Sequence, residues 1–554
     1  MAEAPLGTDY AKKPWLNLYT GGLPATLDFA LKDGLSLFRA AAEAAPERAA
    51  ILFFDGELSY RELDELSDAL AVALIGRGFQ AGDRLALYLQ NTPAFPIATL
   101  AAWKAGGVAV TINPMNRRRE LSLILADSQP RAIVAIDELN RDVVAQLPEE
   151  IERPKILISV APRAFQTRND PRVFGALPEI AAGDNDLIAL CEAYRGRKPP
   201  ARTPAPDDPA FLVYTSGTTG APKGAIITHG NFAFNGQSTA RQYPLDAGDR
   251  VLGLAPLFHI TGLVTHIAMP WALQGPVALV YRFEPSVVLD ALVEHRPDWV
   301  VSAITAYIAL MNNPDCTSER FASLKAVVSG GAPIPPSVVE AFERRTGHYI
   351  YSGYGLTETT AGVVAGPFGR RSPVDPATGA LSIGTPLPNH DVWVADEHGQ
   401  PLPGGEVGEL VIVGPGVSPG YWRKPEETAA SMKADGFRTG DVGFMDKDGW
   451  VYLVDRKKDM IVASGFKVWP REVEDVLYAH PAVREVAVIG VPDAYRGETV
   501  KAFVSLKAGA SATVEELIAF CQPQMAAYKR PHAIEIREDL PKTVTGKILR
   551  RMLK

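Results

Sequence analysis

Short apolar runs alternate with helix-like segments over most of the chain, and this alternation limits the possible folds more than any other feature. Ser59 and Glu62 have the spacing of a capping box and precede apolar residues at helical intervals, which predicts a helix. Strands are predicted at 84–89, 132–136, 299–302 and 326–329. Such alternation is typical of α/β proteins with largely parallel sheets.

The pattern changes towards the carboxyl terminus. After Asp375, short strands separated by Gly/Pro turns predict a small β-rich subdomain, with strands at 391–395, 403–413 and 449–454. From Asp459 onward, two helices and four strands, the first strand directly after Asp459, predict a separate α+β domain of roughly a hundred residues. The other elements are expected at 471–479, 486–489, 501–506, 514–520 and 533–536. A proline-rich and charged segment at 195–209 predicts an exposed connection.

Composition excludes several classes of protein. The 554 residues are 47% hydrophobic and 22% charged, which is typical of a globular chain and allows two to four domains. A net charge of −8 gives no overall attraction for nucleic acid, so no nucleic-acid partner is expected. The cysteines at 191, 316 and 521 are too far apart for a CxxC metal site or a disulfide framework. Together with a first segment unlike a signal peptide, they favour the cytoplasm.

One uncharged run, from Ile260 to Tyr281, is about as long as a membrane span. It contains His266, Pro270 and Pro276, which favour buried core over a transmembrane helix. No transmembrane segment is therefore expected. Peripheral contact with a membrane stays open, although no basic amphipathic helix is evident.

A Gly/Ser/Thr-rich segment, Tyr214-Thr-Ser-Gly-Thr-Thr-Gly-Ala-Pro-Lys-Gly224, directly follows a predicted apolar strand. Its approachable backbone N–H groups, hydroxyls and lysine are the groups that bind a polyphosphate. Gly224 follows Lys223 and no Ser or Thr comes next, so this is not a Walker motif. A flexible linker is the alternative, but linkers rarely follow a buried strand. The candidate phosphate-binding residues are Thr215, Ser216, Gly217, Thr218, Thr219, Gly220 and Lys223.

This loop and the motifs after it resemble the signature of the adenylate-forming superfamily, which comprises acyl-CoA synthetases, peptide-synthetase adenylation domains and beetle luciferases. The motifs occur in the family's order: Pro256-Leu-Phe-His-Ile-Thr-Gly262, Ser329-Gly-Gly-Ala-Pro333, Tyr351-Ser-Gly-Tyr-Gly-Leu-Thr-Glu358, Gly408-Glu-Leu, Gly420-Tyr-Trp422, Thr439-Gly-Asp441, Asp455-Arg-Lys-Lys-Asp-Met460 and Pro541-Lys-Thr-Val-Thr-Gly-Lys547. The resemblance implies a large amino-terminal domain of parallel-sheet αβαβα subdomains with a β-rich subdomain, followed by a small mobile α+β domain.

The resemblance implies a two-step ligase reaction. A carboxylate attacks the α-phosphate of Mg-ATP to give an acyl-adenylate and pyrophosphate, and the thiol of coenzyme A then displaces AMP. ATP would contact the phosphate loop and also Gly331, Ala332, Gly353, Tyr354, Gly355, Thr357, Asp441, Arg456 and Lys547. Glu358, with Thr218, would hold Mg²⁺, because that ion prefers few carboxylates plus phosphate oxygens.

Two further residues receive catalytic roles from the resemblance. Lys547 would reach between the carboxylate and the α-phosphate and neutralise charge that builds on phosphorus. A basic tail is the alternative interpretation, since five of the last thirteen residues are basic. His259 would form a wall or gate of the carboxylate pocket. A general base is not required there, because a carboxylic acid is already ionised at pH 7.

The family places a hinge at the position of Lys458, which predicts domains at 1–457 and 458–554. After adenylation the small domain would rotate and turn Ser464, Gly465, Phe466 and Lys467 towards the pantetheine tunnel of CoA. Rotation would let one pocket hold two different sets of residues in turn.

The amino-acid sequences of segments 455–474 and 13–17 most resemble those of bacterial fatty acyl-CoA synthetases for medium to long chains. Pocket candidates are the residues after His259 and the segments 303–307 and 361–363, which carry no charge. Aryl or short hydroxy acids are the alternative substrates. A ligase that loads a carrier protein, a luciferase-like oxygenase and a nucleotide sensor also stay open, as does a homodimer.

Overall fold

The computed structural model describes residues 9–177, 185–215, 222–376, 379–456, 459–463, 466–493, 497–543 and 546–553. For Asp455, Arg456, Val462, Phe466, Lys467 and Gly497 it describes the backbone alone. The described residues form sheets of nine, six, five and five strands. The two larger sheets are mainly parallel and the two smaller ones mainly antiparallel, which confirms the predicted α/β fold.

The six-stranded sheet carries the predicted phosphate loop at one edge. Its strands lie in the order Ile156–Val160, Ala132–Ile136, Arg84–Tyr88, Val108–Thr111, Pro209–Thr215 and Lys223–Thr228. All neighbours are parallel except the last pair, which forms an antiparallel hairpin.

The nine-stranded sheet has parallel strands at its centre and antiparallel strands at both edges. The spatial order is Thr385–Pro386, Ala361–Ala365, Ile350–Leu356, Ala326–Gly330, Trp299–Ser302, Val251–Gly253, Val277–Leu279, Ala49–Phe53 and Gly56–Ser59. One apolar core joins the two large sheets. Trp103 lies within it and packs edge-on against Phe211, Phe232 and Trp271.

Helices cover the faces of these sheets. The predicted capping box is present, since the Ser59 N–H donates to the Glu62 carboxylate at 2.8 Å and the Glu62 N–H donates to the Ser59 hydroxyl at 3.2 Å. The α-helices up to residue 431 span Gly34–Ala44, Tyr60–Gly76, Ala94–Lys104, Arg118–Ser128, Asp137–Asp142, Pro171–Phe174, Leu187–Ala193, His229–Arg241, Ile260–Leu263, Met269–Leu273, Pro285–His295, Ile304–Met311, Ser318–Phe321, Pro336–Thr346 and Pro425–Ser431. Short 3₁₀ helices span Asp9–Lys12, Pro14–Leu18, Val144–Gln146, Thr357–Thr359 and Arg550–Met552.

The uncharged run at 260–281 is core, as predicted. Its helices are joined by a π-helical turn, Val264–Ala268, and a strand follows at Val277–Leu279. Most of its side chains are buried between the large sheets. In the part of the chain that the structure describes, no helix combines the length and apolar character needed to span a membrane.

The β-rich subdomain is present and antiparallel, with strands Asp391–Ala395, Gly408–Val413, Met432–Lys433, Gly436–Met445 and Val451–Arg456. The predicted strand at 403–413 starts five residues late. Residues 403–405 form a turn instead, in which Gly405 has φ +88° and donates its N–H to the Met445 carbonyl at 2.7 Å.

The carboxyl-terminal sheet contains Ile461–Ala463, Phe466–Val468, Val483–Asp493, Gly497–Leu506 and Ala533–Ile536, with helices Pro470–Tyr478 and Val514–Cys521 packed on it. The central pair of strands is longer than predicted, because the two strands pair along their whole length, Val483 opposite Leu506 through Asp493 opposite Gly497. Lys458 lies outside the described residues, so the predicted boundary between 1–457 and 458–554 stays a prediction.

Candidate active site

The Gly/Ser/Thr-rich segment connects two antiparallel strands at the edge of the six-stranded sheet. Thr215 lies opposite Lys223 in the register, and the Thr215 hydroxyl donates to the Lys223 carbonyl at 3.5 Å. A Walker loop joins a strand to a helix, so this hairpin accounts for the departure from that pattern. The predicted residues at 216–220, Thr218 among them, lie outside the described part of the chain.

Glycines mark the carboxyl ends of two adjacent parallel strands, where ligands bind in open α/β sheets. Gly330 lies opposite Gly353, and a Cβ at Gly330 would stand 2.7 Å from the Gly353 carbonyl oxygen. Gly331 has φ +79° and faces open space. Ala332 lies two residues after the first strand, and Thr357 directly follows the second.

Tyr354 and Asp441 meet between the nine-stranded sheet and the β-rich subdomain. The Tyr354 hydroxyl donates to Asp441 Oδ2 at 2.8 Å, and both side chains are buried. The backbone of Asp441 is paired with that of Arg456 on the neighbouring strand. The three residues predicted at the adenosine moiety therefore come together, although the Arg456 side chain is not described.

Glu358 is held by a tyrosine to which the sequence motifs assigned no role. The Tyr421 hydroxyl donates to Glu358 Oε1 at 2.7 Å. The Lys223 ammonium lies 5.3 Å from the centroid of the Tyr421 ring. Burial and the negative charge of Glu358 raise the pKa of Tyr421, which keeps its hydroxyl a donor. Tyr421 thus contacts both Glu358, through its hydroxyl, and the loop lysine Lys223, through its ring.

The segment of Tyr421 is fixed to the phosphate-loop hairpin by backbone bonds. Ala225 pairs with Tyr421, and the Trp422 N–H donates to the Gly224 carbonyl at 2.8 Å. The motif 420–422 therefore extends the edge of the sheet beyond the strand Lys223–Thr228. This pairing brings Tyr421 next to Lys223, although almost two hundred residues separate them in the sequence.

Two asparagines on the helix His229–Arg241 support the same site and were missed by sequence reasoning. Asn235 Nδ2 donates to the carbonyls of Thr359 and Thr360 at 3.0 and 2.5 Å. Asn231 Nδ2 donates to the Pro415 carbonyl at 2.6 Å. The signal available in the sequence was two amides spaced i and i+4 on a helix that directly follows the hairpin.

Lys547 and His259, which lie far apart in the sequence, interact electrostatically in the structure. Burial and the positive charge of Lys547 lower the pKa of His259 to about 4, so the imidazole is neutral at pH 7. His259 Nδ1 accepts the Thr261 N–H at 3.3 Å and caps the short helix after it. The Lys547 backbone is fixed by Thr543, whose hydroxyl accepts the Lys547 N–H at 3.0 Å.

The segment predicted for CoA is only partly described. Phe466–Val468 forms an antiparallel pair with Ile461–Ala463, so the backbones of Phe466 and Lys467 lie in the carboxyl-terminal sheet. Ser464 and Gly465 lie outside the described residues. A CoA role for this segment stays a prediction.

A surface cavity of about 370 Å³ lies elsewhere, at the amino ends of the parallel strands. It is lined by Arg48, Ala49, Leu52, Glu57, Gly248, Arg250, Pro276 and His295. None of the predicted site residues is among them, and ligands of such sheets bind at the opposite, carboxyl edge.

Comparison with protein families agrees with this geometry. The family of AMP-binding enzymes matches residues 38–422, and the family of AMP-binding enzyme C-terminal domains matches 472–547. The chain belongs to the AMP-binding enzyme family. The predicted superfamily, fold class and ligase enzyme class are thereby confirmed.

Relatives of this AMP-binding enzyme match it over nearly its full length. A long-chain-fatty-acid–CoA ligase of Bacillus subtilis (strain 168) is 37% identical over 98% of both chains. A feruloyl-CoA synthase of Amycolatopsis is 35% identical over 92% of this chain and 96% of the relative. Among solved structures, ATP-bound MatB from Rhodopseudomonas palustris has a TM-score of 0.82 at 29% identity, covering 94% of this chain and 98% of that one. An anthranilate CoA ligase with anthranoyl-AMP has a TM-score of 0.84 at 26% identity, covering 96% and 97%.

Proposed function

We propose that this AMP-binding enzyme is an acyl-CoA synthetase that converts a medium- to long-chain fatty acid into its acyl-adenylate and then into the CoA thioester. The observation that carries the proposal is that the residue before Lys547, Gly546, accepts a hydrogen bond from Thr305 at 3.0 Å, and that the charge of Lys547 acts on His259. A cation from the carboxyl-terminal part thereby reaches the segment predicted to border the carboxylate pocket.

In the first step an oxygen of the ionised carboxylate attacks the α-phosphorus of ATP. The new acyl–phosphate bond forms while the bond between the α-phosphorus and the bridging oxygen breaks, and pyrophosphate leaves. The Lys547 ammonium neutralises charge on the phosphorus centre. Neutral His259 serves as a wall of the pocket. Without a charge it neither repels the Lys547 ammonium nor forms an ion pair with the substrate carboxylate.

ATP is assigned to the predicted residues. Gly331, Ala332, Gly353, Tyr354, Gly355 and Thr357 border the adenine, Asp441 and Arg456 bind the ribose, and Thr215, Ser216, Gly217, Thr218, Thr219, Gly220 and Lys223 bind the phosphates. Two contacts support this assignment: the bond between Tyr354 and Asp441, and the stacking of Lys223 on Tyr421 near Glu358.

Mg²⁺ fits the donor set around Glu358. The ion favours few carboxylates plus phosphate oxygens, and Tyr421 occupies Oε1 of this carboxylate, so Oε2 is the oxygen suited to the metal. Thr218 is the second candidate. When bound, Mg²⁺ would neutralise phosphate charge. The protein orients the Glu358 carboxylate through the hydrogen bond from Tyr421.

In the second step the thiolate of CoA attacks the acyl carbonyl, the thioester forms, and AMP leaves with the electrons of the broken acyl–phosphate bond. For this step we propose rotation about Lys458 that brings Ser464, Gly465, Phe466 and Lys467 to the site. Lys547 would leave the site in the same movement.

A fatty acid is favoured because the long-chain ligases are similar over 98% of this chain. Aryl acids are the second candidate, because a feruloyl-CoA synthase is 35% identical over 92% of the chain. The uncharged segments 260–263 and 361–363 suit the apolar part of either acid.

The test is pyrophosphate release with ATP and Mg²⁺ across acetate, octanoate, palmitate, benzoate and ferulate, with and without CoA. Palmitate or octanoate should give the highest kcat/KM, and addition of CoA should yield the acyl-CoA thioester and AMP. The highest kcat/KM with ferulate would show that the enzyme prefers aryl acids and would contradict the assignment of a fatty acid. Absence of pyrophosphate with every acid, or pyrophosphate release without acyl-CoA formation when CoA is present, would contradict the proposal.

A further inference from the structure

The hairpin that carries Lys547 is anchored in the carboxyl-terminal domain. Lys542 pairs with Ile548, and the Leu549 N–H donates to the Pro541 carbonyl at 2.7 Å. The Lys542 ammonium is 3.0 Å from the Glu485 carboxylate and 2.7 Å from that of Asp539.

Apolar packing reinforces this anchor. Leu540 is buried with Ala487, Ile489 and Phe503 of the carboxyl-terminal sheet, and Ile548 packs against the same cluster. The base of the hairpin therefore moves with its own domain, and the position of Lys547 at the active site depends on the contacts of Gly546 with the amino-terminal domain.

Gly546 meets the first turn of the helix Ile304–Met311 in the amino-terminal domain. The Thr305 hydroxyl donates to the Gly546 carbonyl at 3.0 Å. Gly546 has φ +80°, and a Cβ at this position would stand 2.2 Å from the Thr305 hydroxyl oxygen and 3.6 Å from the Ala303 Cβ. The approach is thus close enough to require glycine, and it occurs at the residue directly before Lys547.

We propose that Thr305 is a positioning residue that docks the Lys547 hairpin for adenylation. This inference rests on the proposed function. The bond joins two domains, so it exists only while the carboxyl-terminal domain takes the present arrangement. Thr305 therefore serves the step that uses Lys547 and not the transfer to CoA.

The sequence had placed Thr305 within a candidate segment of the acyl pocket, and that role predicts a different result. A pocket residue would change KM for the acid and the preference for chain length. A docking residue lowers the rate of adenylation by the same factor for every acid, because it positions Lys547 rather than the acyl chain.

The experiment compares Thr305→Val, which keeps the shape and loses the donor, with Thr305→Ser, which keeps the donor. Single-turnover acyl-adenylate formation and thioester formation from supplied acyl-adenylate are measured separately. Thr305→Val should slow adenylation roughly 3- to 10-fold, the usual effect of one lost hydrogen bond, and leave thioester formation within about twofold. Thr305→Ser should restore adenylation. Gly546→Ala should slow it more than Thr305→Val does.

Equal loss of both half-reactions, an unchanged adenylation rate, or a Thr305→Ser variant as slow as Thr305→Val would overturn the proposal. A second measurement does not depend on activity. NMR titration of labelled histidine should give a higher pKa for His259 in Thr305→Val, because the charge of Lys547 would lie farther away. An unchanged His259 pKa would contradict docking even if the wild-type enzyme acted on no acid tested.

Discussion

At the scale of single residues, the site depends on side chains that hold other side chains. Tyr421 binds one oxygen of Glu358 and offers its ring to Lys223. Tyr354 binds Asp441 in the same way. In each pair a neutral donor fixes the direction of a carboxylate before any ligand arrives, which lowers the entropy lost on binding.

Replacement of Tyr421 by Phe separates the two functions of this residue. The ring that faces Lys223 remains, and only the hydrogen bond to Glu358 is lost. We expect the Mg²⁺ concentration at half-maximal adenylation to rise severalfold, because bonds to charged groups contribute about 1.5–3 kcal/mol and Glu358 would lose its orientation. A Mg²⁺ titration of pyrophosphate release measures the effect.

Tyr194→Phe is a matched control, because the Tyr194 ring also faces a cation, Arg197 at 5.3 Å. Tyr194 follows the helix that contacts Ile156–Val160, the edge strand opposite the phosphate-loop hairpin. Its Mg²⁺ midpoint should equal that of the wild type. A midpoint that is also unchanged in Tyr421→Phe would show that Glu358 does not depend on this bond.

The sequence identified motif residues at this scale but not their partners. Glu358 and Tyr421 were both within recognised motifs, yet no spacing rule links residues 63 positions apart. The sequence predicts Thr305 only as part of a candidate pocket segment, 303–307. Its contact with Gly546 depends on how two domains meet, which local pattern does not encode.

At the scale of elements, the strand pair Ile350–Leu356 and Ala361–Ala365 shapes the site. The register shifts between Tyr354 and Gly355, and Gly355 lies opposite Gly362. A Cβ at Gly355 would stand 1.7 Å from the Ala361 carbonyl oxygen, whereas a Cβ at Gly362 would meet nothing within 4 Å. The two glycines are thus opposite each other on paired strands, but only Gly362 has space for a Cβ.

We expect Gly355→Ala to lower the free energy of unfolding by about 1–3 kcal/mol, the usual cost of forcing extra volume into a packed region. Gly362→Ala should change it by less than about 0.5 kcal/mol. Urea denaturation of both variants measures the difference. Equal destabilisation would mean that the close approach at Gly355 relaxes without cost.

Helices and strands can be predicted wherever their sequence signal comes from residues that are close together in the chain. The capping box of Ser59 and the buried strand at 132–136 follow from neighbouring residues alone. The ends of the strands Val483–Asp493 and Gly497–Leu506 do not, because each is extended by pairing with the other. The close approach at Gly355 likewise depends on the partner strand.

At the scale of the whole molecule, the basic residues near the carboxyl terminus have structural partners. The Lys542 ammonium bridges Glu485 and Asp539, and the Arg550 guanidinium lies 2.8 Å from Glu474. A solvated basic tail is therefore a poor description of this region. Its cations stabilise the fold of the small domain, while the charge of Lys547 acts on His259 in the other domain.

Buried histidines couple the stability of the large domain to pH. Burial lowers the pKa of His229 and His390 to about 4 and that of His266 to about 3. Above pH 6.5 these groups are neutral in both states and impose no cost. As the pH falls below 6.5 the unfolded chain takes up protons that the folded chain cannot, so stability falls until the folded-state pKa is reached.

We expect the free energy of unfolding to decrease between pH 6.5 and 5 with a slope that includes about 1.4 kcal/mol per pH unit for each such histidine. His266→Gln should reduce this slope by the contribution of one histidine, because glutamine does not titrate. Glutamine is chosen because its side chain keeps an acceptor for the Ala255 N–H, which donates to His266 Nε2 at 3.0 Å. Urea denaturation at several pH values measures the slope. The same slope in His266→Gln would contradict the assignment.

The proposed two-step reaction requires that Lys547 acts in adenylation alone, and the variant Lys547→Ala measures this. Pyrophosphate release from acid and ATP, and thioester formation from supplied acyl-adenylate and CoA, are measured on the same preparation. Lys507→Ala, an exposed lysine of the same domain, serves as the control. We predict that Lys547→Ala loses at least a hundredfold in adenylation, as is usual when a group that stabilises the transition state is removed, and keeps thioester formation near the wild-type rate. Equal loss of both half-reactions would contradict a role of Lys547 confined to adenylation.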